Sequence, residues 1–269
     1  MTEKNTKPNL TIFDLDGLTF IAGWQYRNQL TNIGAIAVKN KIDEIIKSIL
    51  NKSKAEYYIG FYGAEGSKVF RHDWATVKPY KGSRKSEEWQ QYFKPIVKEH
   101  FKNKWGAYSL KILEADDAVV IAYHLYKDKY NITISTDDKD TKQVGEFNKY
   151  NPRNNEIEKI SHIEGRKFFW QQMVMGDTVD AIGGIKGMGS KSLLVKTIEA
   201  LENPTEEEMY NLVRDGYIEV YGEEYLYHMV ENYILLCMIA KPSFDYPKDA
   251  TLTAWEPKKN VLERLNLKI

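Results

Sequence analysis

Asn131-Ile132-Thr133-Ile134-Ser135-Thr136-Asp137-Asp138-Lys139-Asp140 is a short β-branched run that stops at a cluster of acids. Residues 131–135 read as a strand, and the acidic segment follows at its end. Just ahead, residues 116–130 have the periodicity of an amphipathic helix, and residues 108–113 read as an earlier strand. The same order stands near the amino end. Residues 10–16 form an apolar strand through Ile12, Phe13 and Leu15, closed by Asp16-Gly17. Residues 31–50 carry Ile33, Ile36, Ala37, Ile42, Ile45, Ile46 and Ile49 at broadly helical spacing, and residues 56–62 are strand-like. Strands alternating with helices predict an α/β fold, a parallel sheet with helices on its faces.

After about Arg166 the alternation stops. Residues 166–175 and 190–201 read as helices around a glycine-rich turn region at 176–189, and two more helices follow. The last, residues 223–239, has Leu226, Met229, Val230, Tyr233 and Cys237 on one stripe, which predicts a buried face. Residues 241–269, with Pro242, Pro247 and Pro257, read as an irregular tail on the body. A boundary near residue 165 therefore separates an α/β part, 1–165, from an all-helical part, 166–269.

The 269 residues can bury a sizeable core without staples. Cys237 is the only cysteine, so no internal disulfide forms and a reducing, intracellular location is expected. Residues 1–9 lack an apolar signal core, and the longest apolar run, 233–240, is too short to span a bilayer. The expectation is a soluble, cytoplasmic protein with no membrane partner. Lys plus Arg equal Asp plus Glu at 38 each, which excludes a uniformly basic nucleic-acid coat protein but leaves room for segregated charge.

The acids are segregated. Asp14 and Asp16 end the first strand, Glu114, Asp116 and Asp117 follow another, and Asp137, Asp138 and Asp140 follow a third. In an open parallel sheet, ligands bind beyond the carboxyl ends of the strands, so the three groups should converge. Any one of them also fits a helix cap or a solvated turn, but that account does not explain three at matching positions. Converging carboxylates repel one another unless cations intervene. Oxygen ligands without a Cys or His cluster favour magnesium or manganese over zinc. Asp177 and Asp180 form a fourth group. If they reach the same place, they complete a site for two ions roughly 3.5 to 4 Å apart, able to clamp the attacking and leaving oxygens of a phosphodiester.

Gly184-Ile185-Lys186-Gly187-Met188-Gly189-Ser190-Lys191-Ser192 opens a helix, where glycines admit a close ligand and free amides favour an anion. Ser190 interrupts the order a nucleotide-binding P-loop needs, and no strand precedes it. The better reading is a helix-hairpin-helix that grips a DNA backbone phosphate, with a plain glycine cap as the simpler one. Residues 74–108 interleave cations with Trp74, Tyr80, Trp89, Tyr92, Phe93, Phe101 and Trp105, a composition suited to single-stranded nucleic acid. For Phe93, Phe101 and Trp105 a core role on an amphipathic helix is favoured, with Lys98 and Lys102 on its solvated face. Lys81 and Arg84 follow Pro79-Tyr80 in a loop with no adjacent acid.

Taken in order, Glu114-Ala115-Asp116-Asp117, Ser135-Thr136-Asp137-Asp138-Lys139-Asp140 and Gly176-Asp177-Thr178-Val179-Asp180 leading into the glycine turn resemble the flap endonuclease family. That family includes bacteriophage exonucleases and RNase H enzymes and the 5′ nuclease domain of bacterial DNA polymerase I. The likeness runs from Leu10 to about Leu201, and Phe70-Arg71 with Tyr80-Lys81-Gly82-Ser83-Arg84 resembles the segment leading into the family's helical arch. The resemblance implies a PIN-like nuclease core with an arch at 74–108 and a C-terminal helix-hairpin-helix domain. It implies Asp16, Glu114, Asp116 and Asp117 at a first magnesium or manganese ion and Asp138, Asp140, Asp177 and Asp180 around a second. Lys81 and Arg84 would contact the scissile phosphate. Gly184, Gly187, Gly189, Ser190, Lys191 and Ser192 would bind DNA, with a potassium ion at 184–189. The implied activity is hydrolysis of 5′ ends or flaps of branched, nicked or RNA-primed duplex DNA by a monomer, with a replication polymerase, clamp or single-strand-binding protein as protein partner.

One departure stands out. The family's Asp at the end of the second strand is absent from Phe61-Tyr62-Gly63-Ala64-Glu65, so either Glu65 substitutes at longer reach or water fills that place. Phe13-Asp14-Leu15-Asp16-Gly17 also resembles the nucleophile motif of haloacid-dehalogenase phosphatases, with Asp14 as the phosphorylated group. Leu18 in place of Thr or Val, and a glycine hairpin without a role, oppose that reading. A forked-DNA-binding protein with a decayed metal site, motivated by Ala64, is the remaining alternative.

Overall fold

The computed structural model describes residues 7–63, 69–110, 113–238 and 256–260. Strand β1 (Asn9–Asp14) pairs in parallel with β2 (Tyr57–Gly63) on one side and β4 (Asn131–Ser135) on the other. Strand β3 (Tyr108–Leu110) extends the sheet beyond β2, and β5 (Phe147–Asn151) extends it beyond β4, both parallel. The order β3-β2-β1-β4-β5-β6 reverses direction around β1. That reversal opens a crevice at the carboxyl ends of β1 and β4, where Phe13 stands opposite Ser135.

The sheet is mixed rather than all parallel. Strand β6 (Glu156–Ile160) runs antiparallel to β5, and β7 (Lys258–Lys259) runs antiparallel to the start of β2. The sequence hides β6 because an edge strand is better kept charged than apolar, and four of its five residues are exposed.

Alternation along β1 builds two cores. Leu10 and Ile12 pack with Ala118, Val119 and Ala122 of α5 (Ala115–Tyr126). Phe13 faces the other layer, with Val38, Ile42 and Ile46 of α2 (Asn32–Lys52) and Phe93, Val97 and Phe101 of α4 (Glu88–Trp105). Trp89, Phe93, Val97, Phe101 and Trp105 repeat every four residues on α4 and are all buried, so these aromatics are core. The helix of the expected arch segment is therefore docked on the sheet layer. Asp43 of α2 fixes it, accepting from His100 Nε2 (2.8 Å), Lys104 Nζ (2.6 Å) and Trp105 Nε1 (2.8 Å).

A third core joins α6 (His162–Met175), α7 (Leu193–Ala200), α8 (Glu206–Tyr221) and α9 (Tyr225–Leu236), and takes in Val69 and Tyr80, which flank the short α3 (Arg71–Trp74). Helix α9 corrects one expectation. Met229 is buried, whereas Leu226, Val230 and Tyr233 are exposed. The inward side of α9 is partly polar instead. Glu231 accepts from the backbone N–H of Thr76 (2.7 Å) and Val77 (3.0 Å), and Asn232 donates to Gly184 O (3.2 Å) and Tyr217 Oη (2.7 Å). Hydrophobic periodicity selects the wrong face when the buried face works by hydrogen bonding. Most of the expected tail at 241–269 lies outside the described residues. Among those described, no helix is long and apolar enough to cross a membrane.

Candidate active site

A cleft of about 640 Å³ opens at the carboxyl ends of β1 and β4. Seven of the eight acids expected to hold metal line it: Asp16, Glu114, Asp116, Asp138, Asp140, Asp177 and Asp180, joined by Lys81 and Arg84. Asp14 and Asp137 line it as well.

The end of β1 is tied to both neighbouring strands. Asp14 accepts from the backbone N–H of Asp16 (3.2 Å) and from Thr136 Oγ1 (3.0 Å). Asp16, which opens helix α1 (Asp16–Gly23), accepts from the Gly63 N–H at 3.0 Å. Burial raises both carboxyls above their ordinary range. For Asp14 the charges of Asp16 and Asp138 add to the rise, whereas Asp16 is partly relieved by the Gly63 bond and by Lys98 and Lys94. Lys98, partly exposed on α4 and outside the cleft lining, thus adds favourable charge near Asp16. Glu65 and Ala64 lie outside the described residues.

Glu114 caps α5 and is the best-neutralised acid of the cleft. Its carboxylate accepts from Lys81 Nζ, Arg71 Nη1 (3.1 Å) and Tyr80 Oη (2.6 Å). Burial alone would raise its pKa, yet Lys81 and Arg71 hold it below the usual value. Asp116 is raised well above the usual range by burial and then by Glu114 and Asp117. Asp117 stands apart. It is wholly buried and does not line the cleft, and its two oxygens accept from Arg71 at 2.6 and 2.7 Å. One oxygen from each of Glu114, Asp116 and Asp117 nevertheless lies within 4.8 Å of the others.

Opposite, Asp138 accepts from the Asp140 N–H (2.8 Å), and Asp140 accepts from Gln172 Nε2 of α6 (2.6 Å). Burial raises both, and the Asp138 charge helps push Asp140 up to about 7. Asp177 accepts from Val179 N–H (2.8 Å) and pairs with Lys139 (2.8 Å), which outweighs burial and holds it low. Asp180 accepts from Tyr80 Oη (3.1 Å) and from Arg84. Lys81 adopts φ +54, its N–H bonded to Asp180 O at 3.0 Å. Burial would lower its pKa, but Glu114, Asp180 and Asp116 raise it, so the ammonium stays charged.

The glycine turn divides. Gly184 is buried at φ +60, and a Cβ there would lie 2.3 Å from Gly176 N, so it serves packing. Gly187 (φ +83) and Gly189 are exposed with nothing within 4 Å of an added Cβ. Ser190 and Lys191 are exposed, and Ser192 caps α7 by accepting from Val195 N–H.

Sequence reasoning gave no role to Gln172 or Arg153, and placed Arg71 and Tyr80 only in the segment that resembles the arch lead-in. Arg71 stands before His72-Asp73 and Gln172 beside Gln171, and no regular spacing to the acids marks either. The Tyr80 hydroxyl bridges acids that are 66 positions apart in sequence.

No family model matches the chain. A curated 5′-3′ exonuclease of Mycoplasmopsis pulmonis is 29% identical over 174 residues, 59% of this chain and 56% of that protein. The chain thus spans little more than half the length of this relative. A T5 protein co-crystallised with metal ions matches with TM-score 0.56 at 16% identity, over 85% of this chain and 100% of that one. A bacteriophage T5 flap endonuclease, in a pseudo-enzyme-product complex with DNA and metal ions, matches at 0.55 and 18% identity, over 85% and 99%. The resemblance carried by the motifs is found again in the sequence of one relative and in the fold of two structures.

Proposed function

We propose that this chain, similar in sequence to a 5′-3′ exonuclease and in fold to a flap endonuclease, is a metal-dependent, structure-selective nuclease. It hydrolyses phosphodiesters at 5′ ends or flaps of DNA and RNA-primed DNA. The observation that carries this reading is convergence: acids from four separate sequence segments, with Lys81 and Arg84, line one cleft. A structural role does not account for so many half-buried carboxylates in one place.

Asp16, Glu114 and Asp116 are assigned to one magnesium or manganese ion, and Asp138, Asp140, Asp177 and Asp180 to a second. The donors fit: all are carboxylates, and the raised pKa values of Asp16, Asp116, Asp138 and Asp140 record burial and repulsion that a hard cation relieves. Bound there, such ions would polarise the phosphate and acidify an attacking water. Asp117 leaves the ligand set in this reading and positions Glu114 through their shared Arg71. Lys81, charged and held at the cleft, donates to a phosphate oxygen where negative charge builds, and Arg84 does the same from the rim. Residues 166–238 form the helix-hairpin-helix part. The exposed turn at Gly187 and Gly189 meets a duplex phosphate, with a potassium ion at the same turn.

The test is end-labelled flap, nicked and RNA-primed duplexes incubated with the protein, with and without magnesium or manganese. Metal-dependent release of 5′ fragments is expected. Absence of cleavage on all three substrates with either metal would refute the reading.

A further inference from the structure

Nine carboxylates and four cations line the cleft. Lys81 and Arg84 enter from the loop ahead of α4, and Lys139 is engaged by Asp177 at 2.8 Å. The fourth cation, Arg153, comes from the turn between β5 and β6. That turn holds itself without the arginine side chain. Asn151 Oδ1 accepts the Arg153 N–H (2.9 Å), Asn155 N–H donates to Asn151 O (2.9 Å), and Tyr150 Oη donates to Asn155 Oδ1 (2.8 Å).

The Arg153 guanidinium uses Nε and Nη2, each 2.6 Å from one Asp137 oxygen, and its other N–H donors have no partner among the described residues. The side chain is 59% exposed, and an exposed ion pair adds little to stability. Gly17 makes room for the pair, since a Cβ there would lie 2.3 Å from Asp137 Oδ1. A planar guanidinium, oriented by one carboxylate and still holding unused donors, is suited to phosphate.

We propose that Arg153 grips a backbone phosphodiester of the nucleic acid from the sheet side of the cleft, with Asp137 as its positioning partner. The proposal rests on the nuclease reading and adds a contact away from the Lys81 and Arg84 rim. Two divalent ions would bring the cleft lining near neutrality, so a polyanion needs individually placed donors on both sides.

The experiment compares wild type, Arg153→Gln and Arg153→Lys. Fluorescence anisotropy reads flap-duplex affinity over a salt series, and single-turnover cleavage is measured against protein concentration. Arg153→Gln should weaken affinity about tenfold and reduce the salt slope by about one, while the saturated rate changes less than about threefold. Arg153→Lys should keep the slope. The losses should be equal for 5′-phosphate and 5′-hydroxyl ends; a loss confined to 5′-phosphate ends would overturn the backbone assignment. Unchanged affinity and slope in Arg153→Gln would overturn the proposal outright, even if wild type cleaves. If wild type binds with an Arg153-dependent slope but never cleaves, the grip stands and the nuclease reading fails. Should Arg153→Gln prove unfolded by circular dichroism, Arg153→Ala is read in the same way, and unchanged affinity and slope in a folded Ala variant overturn the proposal.

Discussion

Glu114 and Asp140 line the same cleft, yet their surroundings move their ionisation in opposite directions. Both are largely withdrawn from water, so burial is not the difference. Glu114 has Lys81 and Arg71 on its carboxylate and is held low, whereas Asp140 faces Asp138 and Asp177 and is pushed up to about 7. Glu114 is neutralised by the protein's own cations, although Asp116 beside it is raised by burial. In the proposed reading Asp138 and Asp140 are left to an ion from solution, because opposed carboxylates stay charged together only when a cation joins them.

The sharpest break in that comparison is Asp140→Asn. It should abolish metal-dependent cleavage of a flap duplex while leaving duplex affinity equal or stronger, because a charge that repels phosphate is removed. Asp138→Asn should match it, and near-normal cleavage by both variants would sink the two-metal assignment. Next, Arg71→Leu strands Asp117, a buried carboxylate, and should cost about 3 to 5 kcal/mol in urea unfolding. A loss below 1 kcal/mol would show that the cations around Glu114 are not its structural support.

Lys81→Ala should reduce single-turnover cleavage by about a hundred to a thousandfold, roughly 2.7 to 4 kcal/mol, with little change in affinity. Lys102, exposed on α4, is the proper control, since Lys98 reaches Asp16 electrostatically. If Lys81→Ala behaves like Lys102→Ala, Lys81 only balances Glu114. A smaller effect is expected from Gly187→Val. Its φ of +83 strains a branched residue, and the side chain would fill the open approach to the turn. Duplex affinity should fall severalfold while cleavage at saturating protein is preserved. Unchanged affinity would make the hairpin structural only.

These contrasts also mark what the sequence could carry. Strand β4 and its acids were legible because a β-branched run ending in Asp137, Asp138 and Asp140 has a period and a stop. Acids at the carboxyl ends of parallel strands are expected to converge, which brings those acids to Asp16. Strand β6 was not legible, since its charged residues suit an edge and leave no apolar alternation. The family resemblance implies Asp117 as a ligand, and it does stand with Glu114 and Asp116. Only the fold shows that Arg71, 46 positions away, takes both of its oxygens. The apolar stripe of α9 misled for the same kind of reason, as Glu231 and Asn232 make the inward bonds.

The pH dependence follows from the raised acids. A carboxyl whose folded pKa exceeds its unfolded value gives stability below the unfolded pKa and loses it as pH rises through the folded one. For Asp140 that window runs from the ordinary carboxylate range to about 7. The metal-free protein should therefore melt at a lower temperature at pH 7.5 than at pH 5, and magnesium should recover the stability lost at pH 7.5. A melting temperature that does not change over this range would show that the acids are not opposed in solution.

The central claim is that the Asp138 and Asp140 half needs an ion that the Glu114 half does not replace. Calorimetric titration of the metal-free chain with manganese tests it most directly. Two ions per chain are expected at pH 7.5, one of them lost in Asp140→Asn, with binding weakened in wild type at pH 5.5, where Asp140 holds a proton. Binding that is absent at pH 7.5, or unchanged in number and affinity by both the substitution and the lower pH, would contradict the account.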